Sequence, residues 1–331
     1  MCAGASLVAV LAGEQRAAAP MFRLGPSTAR AASQTPPPAP VRTDAETEPP
    51  AEAPLLSVPA GRVLKLHLAT GNDEVHENTW VYIPSRFDPM KPLHLAIVFH
   101  GFKNCIDSYV SPGGKICTPG QQQRTGYDIP TQVEKSGTGA IFVVPQLAYD
   151  QKSSDPGKLG KIGGLRRFVK ELVEEALAPE LGARRYEDVA RVMLLASSGG
   201  YQGLLPALAN GRVERVRDVY LLDAFYVDTS ALSGFLREHP EDFRPDAKDP
   251  RHFGLVFCRK SGTARQSRDF GARTGTFMAA HGAGAYYAYD GWSPIPGLDE
   301  LAVPAFVYMS SLEHDRVVLE YLWKFLAVSG I

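Results

Sequence analysis

Ser198 is the residue whose sequence setting best suits a nucleophile. It follows a short apolar run typical of a buried strand and lies in the pattern Ala196-x-Ser198-x-Gly200, ahead of a predicted helix. A nucleophile on a sharp turn from strand to helix projects its Oγ into the site, and the tight turn requires small neighbours. Centring the pattern on Ser197 would put Leu195 in the first small position, which fits less well. We therefore predict Ser198 as a nucleophile, the alternative being a Ser/Gly-rich turn that only caps a helix.

His314 is the predicted general base. It follows the apolar run 305–309, where the last predicted helix begins. An imidazole can take the hydroxyl proton of a serine, and the order Ser198, acid, His314 along the chain is one of the known orders of such sites. His281 is the main rival, but it does not follow a predicted strand. The alternative for His314 is a surface residue at a helix N-terminus.

Asp223 is the predicted acid, because it ends an apolar run and has apolar neighbours on both sides. A carboxylate in such surroundings is costly unless it is paired, and an imidazole is a suitable partner. The loop after the next predicted strand, 253–258, has no acidic residue until Asp269, which is the alternative acid. Asp290 and Asp299 are more distant candidates.

The segment His100-Gly101-Phe102 follows another buried run and resembles the start of the oxyanion hole in α/β-hydrolases. Backbone N–H groups at such a position stabilise the negative oxygen that forms during acyl transfer. We predict the N–H groups of Phe102 and Gly199 as the two donors. His100 is predicted to order the loop rather than to act as the base.

The elements that must position these residues alternate between strand and helix. Buried strands alternating with amphipathic helices predict a mostly parallel sheet covered on both faces, with functional residues at the carboxyl ends of the strands. The predicted strands are 62–69, 78–83, 94–100, 140–144, 191–196, 219–222, 253–258 and 305–309. The predicted helices are 164–177, 200–209, 230–238 and 316–327.

Two loops are candidates for the rim of the site. The long segment 103–130 follows the predicted oxyanion loop, and long loops in compact domains are often functional. The segment 148–161 contains Tyr149, and Tyr201 follows the predicted nucleophile turn. We predict both tyrosines as possible substrate-contacting residues, the alternative being ordinary solvated loop residues.

Composition excludes several classes of function. The 35 Lys and Arg residues nearly balance the 36 Asp and Glu residues, which argues against a dedicated nucleic-acid binder. No run of about eighteen apolar residues is present, so no transmembrane helix is expected. The cysteines and histidines lack the spacing of a structural zinc site, so no metal is predicted. Cys105 and Cys117 could form a disulfide in an oxidising compartment or remain as two reduced thiols.

The N-terminal part of the chain differs in character from the rest. Residues 1–19 contain a short apolar run and small residues that suggest an export signal, and 20–59 is rich in proline and acidic residues. A chain of that composition is expected to be a disordered linker. We therefore predict one catalytic domain over 60–331 and a secreted or periplasmic location, with the cytoplasm as the alternative.

The motifs together resemble the α/β-hydrolase superfamily. The run WVYIPSRFDP followed by HLAIVFHGF is similar to the opening of secreted serine esterases of the polyhydroxybutyrate depolymerase and feruloyl esterase type. This resemblance implies a twisted, mostly parallel sheet of about eight strands with helices on both faces. It also implies a Ser-His-Asp hydrolase that cleaves a small or polymeric carboxylic ester through an acyl-enzyme, without a cofactor. A peptidase or amidase with the same triad, or a non-catalytic binding protein on this fold, is the alternative.

Overall fold

A computed structural model describes residues 61–72, 76–151, 153–227, 230–288 and 295–331. The predicted export signal over 1–19, the predicted linker over 20–59 and Asp290 lie outside these ranges. Among the described residues, no helix combines the length and apolar character needed to cross a membrane.

Nine strands within the described ranges form one sheet. They are β1 (Arg62–Leu66), β2 (Thr79–Ile83), β3 (Leu93–Phe99), β4 (Ile141–Pro145), β5 (Val189–Ser197), β6 (Val216–Leu222), β7 (His252–Cys258), β8 (Ala285–Ala288) and β9 (Ala305–Ser310). Their order across the sheet is β1-β2-β4-β3-β5-β6-β7-β9-β8. Only the β1–β2 and β2–β4 pairs are antiparallel, and the other neighbours are parallel. The predicted mostly parallel sheet is therefore confirmed, with one strand more than expected.

Helices of very different length connect the strands. In the described ranges they are α1 (Ile106–Val110), α2 (Ile129–Ser136), α3 (Gly164–Glu171), α4 (Ala178–Leu181), α5 (Tyr201–Asn210), α6 (Ser230–Arg237), α7 (Ala264–Ala280), α8 (Leu298–Leu301) and α9 (His314–Val328). The helix predicted over 164–177 is regular only to Glu171, because a π-helical turn over Leu172–Ala176 continues it. Pro179 follows in α4, where a proline near a helix start is well tolerated.

Two apolar cores lie on the two faces of the sheet. Alternate residues of β3 enter different cores: Leu95 and Ile97 belong to one, and Ala96 and Val98 belong to the other. This is the two-residue period of a strand that is covered on both faces. The first core also contains residues of α3, α5, α6 and α7, and the second contains residues of α1, α2, α8 and α9. Helices therefore cover both faces, as predicted.

Strand β8 and the helices α1, α2, α4, α7 and α8 were not predicted from the sequence, and β8 and α7 show why. Strand β8 has only four residues, which is too short to give a recognisable apolar run. Helix α7 has 17 residues, but its buried positions include Ser267, Gly271 and Thr274 beside the apolar Phe270 and Met278. Since small and polar residues occupy part of its buried face, the helical period does not appear in a hydrophobic pattern.

Candidate active site

Ser198 occupies a sharp turn at the carboxyl end of β5. The strand ends at Ser197, and Ser198–Gly200 forms a single 3₁₀ turn before α5. Ser198 has a φ of 51°, in the left-handed region that a non-glycine residue adopts only at a steric cost. A Cβ on Gly200 would lie 2.0 Å from the carbonyl oxygen of Phe99. The close approach of the turn to β3 explains why the second position after Ser198 is glycine.

The register of the sheet brings the predicted acid beside the predicted nucleophile. Ser197 pairs with Leu222 across β5 and β6, so Ser198 and Asp223 are the next residues of two neighbouring strands. His314 is the first residue of α9, four residues after β9 ends. All three residues therefore stand at the carboxyl edge of the parallel strands, where sites in such sheets occur.

Asp223 and His314 are in direct contact. The Oδ2 atom of Asp223 accepts a hydrogen bond of 2.5 Å from Nδ1 of His314. The Asp223 side chain is fully buried, whereas 38% of the His314 side chain is exposed. The carboxylate thus holds one ring nitrogen and leaves Nε2 as the nitrogen that is available to a substrate or a nucleophile.

The second oxygen of Asp223 is held by the loop that follows β7. Its Oδ1 atom accepts hydrogen bonds from the backbone N–H of Cys258 at 3.1 Å and from Ser261 Oγ at 2.8 Å. Thr263 Oγ1 donates a further, short bond to the same oxygen. Burial alone would raise the pKa of Asp223, but the bonds from His314, Thr263 and Cys258 outweigh it and lower that pKa. The carboxylate is therefore charged at neutral pH.

The same contact shifts the pKa of His314 in the opposite direction, upward. The hydrogen bond to Asp223 is the main reason why the pKa of His314 lies above its ordinary value, although partial burial opposes the rise. The charge of Asp315 raises this pKa further. An imidazole with a raised proton affinity is a stronger base, which suits the removal of a hydroxyl proton.

The two predicted oxyanion donors lie side by side. A Cβ on Gly199 would lie 2.8 Å from the backbone nitrogen of Phe102 and 2.7 Å from its Cβ. A Cβ on Gly101 would lie 3.0 Å from the Cβ of Ser198. The predicted oxyanion loop therefore packs directly on the turn at Ser198, and the glycine at 199 is required by this contact.

His100 is buried, and both of its ring nitrogens have hydrogen-bond partners. Its Nε2 accepts hydrogen bonds of 2.9 Å from the backbone N–H of Leu147 and from the side chain of Gln146. Its Nδ1 contacts the carbonyl oxygen of Gly101 at 3.1 Å, which makes Nδ1 the protonated nitrogen. Burial lowers the pKa of His100 to about 4. It is thus a neutral residue whose hydrogen bonds connect Gly101 to Gln146 and Leu147.

The two predicted rim tyrosines have different positions. The Tyr201 ring stacks on Tyr226 with 5.3 Å between centroids. Burial raises the pKa of Tyr226, and a hydrogen bond with the Ser198 side chain opposes that rise, so this aromatic pair adjoins Ser198. Tyr149 instead lines a separate cavity of about 360 Å³ that also contains Gln146. Tyr201 is therefore the better candidate for substrate contact.

The remaining candidates that the structure describes, Asp269, Asp299 and His281, are not in contact with His314. Asp269, the alternative acid, lies on the exposed side of α7, whereas His314 Nδ1 is bonded to Asp223. Asp299 is exposed in α8. His281, the rival base, is exposed at the end of α7 and contacts the carbonyl oxygen of Phe277.

Several residues of the site were missed at the level of sequence. Ser261, Thr263 and Tyr226 contact Asp223 or Ser198, but none of them belongs to a recognised motif. Ser261 and Thr263 follow the end of β7, the strand next to β6. Their position after a parallel strand is the one signal that could have identified them.

No hydrogen bond links Ser198 to His314 among the described residues. Asp223, Cys258 and His314 are the described residues whose donor atoms could hold a metal ion, since these atoms lie within 4.8 Å of one another. However, burial raises the pKa of the Cys258 thiol, and His314 Nδ1 already bonds Asp223. This arrangement therefore suits an acid–base pair better than a metal centre.

Comparison with known proteins gives a match in structure only. No protein-family profile matches the chain, and no curated protein is similar to it in sequence. Among solved structures, it is similar to the feruloyl esterase module from Clostridium thermocellum, with a TM-score of 0.51 and 14% identity over 82% of this chain and 88% of that one. An acetyl xylan esterase from Aspergillus awamori gives a TM-score of 0.40 and 12% identity over 80% of this chain and 100% of that one. A poly(3-hydroxybutyrate) depolymerase from Bordetella parapertussis gives a TM-score of 0.42 and 11% identity over 80% of this chain and 88% of that one.

At this level of identity the first of these matches bears on the fold alone. It covers 82% of this chain and 88% of that one, and the sheet described above is mostly parallel with helices on both faces. The chain therefore has the α/β-hydrolase fold.

Proposed function

We propose that this protein is a serine hydrolase that cleaves carboxylic esters. The observation that carries the proposal is the hydrogen bond between Asp223 and His314, formed at the same sheet edge as the strained Ser198 turn. Fold alone does not define function, so the argument depends on these side chains. A buried carboxylate paired with a half-exposed imidazole, next to a serine in a left-handed turn, is the set of groups that acyl transfer requires.

In the proposed first step, Ser198 Oγ forms a bond to the carbonyl carbon of the ester while its proton passes to Nε2 of His314. Asp223 stabilises the resulting imidazolium through Nδ1. The carbonyl π electrons move to oxygen, and the N–H groups of Phe102 and Gly199 stabilise that anion. Each such donor contributes roughly 3 kcal/mol in comparable sites.

The tetrahedral intermediate then collapses. The C–O bond to the leaving alcohol breaks, and the alcohol takes the proton from His314, which leaves an acyl group on Ser198. In the second half, His314 removes a proton from water as the water oxygen attacks the acyl carbon. Collapse of this second intermediate returns the proton to Ser198 and releases the carboxylic acid.

Two observations support an ester substrate and an oxidising location. The feruloyl esterase module that shares the fold is an esterase by its name, which favours esters over amides for the first assays. Cys105 and Cys117 form a disulfide, and such bonds persist mainly in secreted and periplasmic proteins.

The test is labelling of the purified chain with a fluorescent fluorophosphonate, together with hydrolysis of p-nitrophenyl acetate. We expect the wild-type chain to be labelled and to turn over the ester, and Ser198→Ala to lose both properties. Ser233→Ala on α6 removes another serine hydroxyl and is expected to behave as wild type. A folded wild-type chain that is neither labelled nor active would overturn the proposal. Labelling together with preferential cleavage of an anilide substrate would favour an amidase instead.

A further inference from the structure

The segment 103–130 connects the nucleophile side of the site to the base side. It leaves the oxyanion loop, contains α1, and returns to the sheet through α2. The disulfide between Cys105 and Cys117 closes part of it, and the backbone N–H of Lys115 donates to Ser108 Oγ within the same part. Its contacts at both ends involve residues adjacent to the proposed catalytic pair.

At the nucleophile end, the contact is made by Tyr109 of α1. Its hydroxyl lies 3.1 Å from Oγ of Ser197, and both side chains are buried. Ser197 is the last residue of β5 and directly precedes Ser198. The segment therefore holds the strand end from which the strained turn begins.

At the base end, two side chains of the segment donate hydrogen bonds to the two carboxylate oxygens of Asp315. Tyr127 donates its hydroxyl to Oδ1 of Asp315 at 3.1 Å, and Thr125 Oγ1 donates to Oδ2 at 2.7 Å. Asp315 follows His314 in the first turn of α9. Asp315 is exposed, as are Ser311 and Glu313, so these two hydrogen bonds tie the exposed start of α9 to the segment.

The two ends are joined by a pair of aromatic rings. Tyr109 and Tyr127 pack edge to face with 4.9 Å between centroids, and both are at most 5% exposed. The backbone N–H of Tyr127 also donates to the carbonyl oxygen of Tyr109 at 3.0 Å. Packed side chains and backbone bonds of this kind leave little freedom for one end to move without the other.

The contact with Asp223 does not by itself set the distance between Ser198 and His314, and this connection bears on that distance. Asp223 fixes the tautomer and the tilt of the His314 ring, but no hydrogen bond between Ser198 and His314 is present among the described residues. Their separation depends on where α9 begins relative to β5. A misplacement of about 1 Å can reduce a rate by roughly a hundredfold.

We propose that Asp315, held by Tyr127 and Thr125, is the positioning residue that sets the His314 imidazole against Ser198. This inference rests on the proposed function, because it concerns the same nucleophile and base. Asp315 acts through His314 and does not touch the reacting atoms. Since it aligns the chemical step, its loss lowers kcat and leaves KM nearly unchanged.

The experiment compares kcat and KM for p-nitrophenyl acetate, and the fluorophosphonate labelling rate, in the full chain. We expect Tyr127→Phe with Thr125→Val, which keeps the ring packing, to lower kcat and the labelling rate by about tenfold. KM should stay within about twofold. Asp315→Ala also removes a charge that raises the pKa of His314, so rates are compared on the alkaline plateau, where His314 is neutral. There Asp315→Ala should give a similar loss, and adding it to the double variant should cause little more, because all three changes remove one connection.

Tyr186→Phe is the matched control. Tyr186 is also 5% exposed and donates its hydroxyl to a carboxylate, Oε2 of Glu214 at 3.0 Å, but it lies before β5 at the opposite edge of the sheet. Loss of the Tyr186 hydroxyl should lower the unfolding temperature without changing kcat.

The outcomes separate the two proposals. A wild-type chain that is neither labelled nor active overturns the proposed function and this inference with it. A reactive wild-type chain whose Tyr127/Thr125 and Asp315 variants keep wild-type kcat overturns this inference alone. The same holds if the variants change KM only, or if Tyr186→Phe lowers kcat as much as they do.

Discussion

Asp223 Oδ2 lies 2.5 Å from His314 Nδ1, although the two residues are 91 positions apart in the chain. Strand β7 stands between β6 and β9 in the sheet, and the loop after β7 supplies the remaining partners of the carboxylate. Because both oxygens are bonded, the cost of burying the charge is offset within the protein. Asp223 also has a φ of 46°, so the backbone at this position is strained like that of Ser198.

Replacing this carboxylate tests the proposed acid. Asp223→Asn keeps the size of the side chain but cannot hold the imidazole in the required tautomer, so we expect kcat to fall by about 10⁴. The measurement is steady-state hydrolysis of p-nitrophenyl acetate. Asp269→Asn alters the exposed alternative acid on α7, and its kcat should stay within about twofold of the wild-type value. Equal activity of the two variants would exclude Asp223 as the acid.

The pH dependence of the reaction follows from the same contact. The pKa of His314 is raised, first by its hydrogen bond to Asp223, above its ordinary value of 6.5. Since the base must be deprotonated, activity is lost as the pH falls through this raised pKa. We expect the acidic limb of kcat/KM to have its midpoint above 6.5, and the residual activity of Asp223→Asn to show a lower midpoint. A wild-type midpoint at or below 6.5 would contradict this expectation.

The sequence predicted the sheet and the order of the site because these depend on local patterns. The apolar runs before His100, Ser198, Asp223 and His314 each correspond to a parallel strand. A parallel sheet then brings residues that follow its strands to one edge, which is why the acid and the base could be proposed before their contact was known.

The parts that were missed depend on tertiary contacts. Helix α7 buries Ser267 and Thr274 beside apolar residues, so its buried face does not stand out as a hydrophobic pattern in the sequence. Likewise, nothing in the local sequence relates Tyr127 to Asp315, which are 188 positions apart and meet only through the packing of α1 and α2 near α9. Hydroxyl groups that support a carboxylate have no fixed spacing from it, so a motif search cannot find them.

The contact between Gly199 and the proposed oxyanion loop can be tested by adding one methyl group. In Gly199→Ala the new Cβ would lie 2.7–2.8 Å from backbone and Cβ atoms of Phe102, so the loop must move. We expect kcat to fall by about 10²–10³, as when an oxyanion donor is lost.

The control for this variant is Gly234→Ala in α6, where a Cβ meets only the flexible Glu238 side chain at 3.4 Å. Alanine is also the better helix former, so this change should preserve activity and slightly raise the unfolding temperature. If Gly199→Ala turned over the ester as fast as Gly234→Ala, the N–H groups of Phe102 and Gly199 could not be the oxyanion donors.

A buried ion pair holds the opposite edge of the same strands. Arg191 of β5 donates two hydrogen bonds of 2.7 and 2.8 Å to the fully buried carboxylate of Asp218 on β6. Asp218→Ala would leave the guanidinium without its main partner, and we expect a loss of about 3–5 kcal/mol in the free energy of unfolding. Denaturant titration gives this value.

The exposed pair Arg244–Asp246 is the reference for that measurement. Asp246→Ala should cost less than about 1 kcal/mol, because solvent screens exposed ion pairs. The folded fraction of Asp218→Ala should keep its kcat, since the pair lies at the edge away from Ser198. Similar destabilisation by the two variants would show that burial does not increase the contribution of the Arg191–Asp218 pair to the free energy of unfolding.

The disulfide between Cys105 and Cys117 should affect both stability and catalysis, because it closes part of the segment that contacts Ser197 and Asp315. A loop of 12 residues corresponds to about 3 kcal/mol in the chain-entropy description of cross-links. We expect Cys105→Ser with Cys117→Ser to lower the unfolding temperature and to reduce kcat more than KM. Dithiothreitol should reproduce both effects in the wild-type chain and add nothing in the double variant. If the double variant lost stability but kept wild-type kcat, the cross-link would serve folding only, and the alignment of His314 would depend on the Tyr109 and Tyr127 contacts without it.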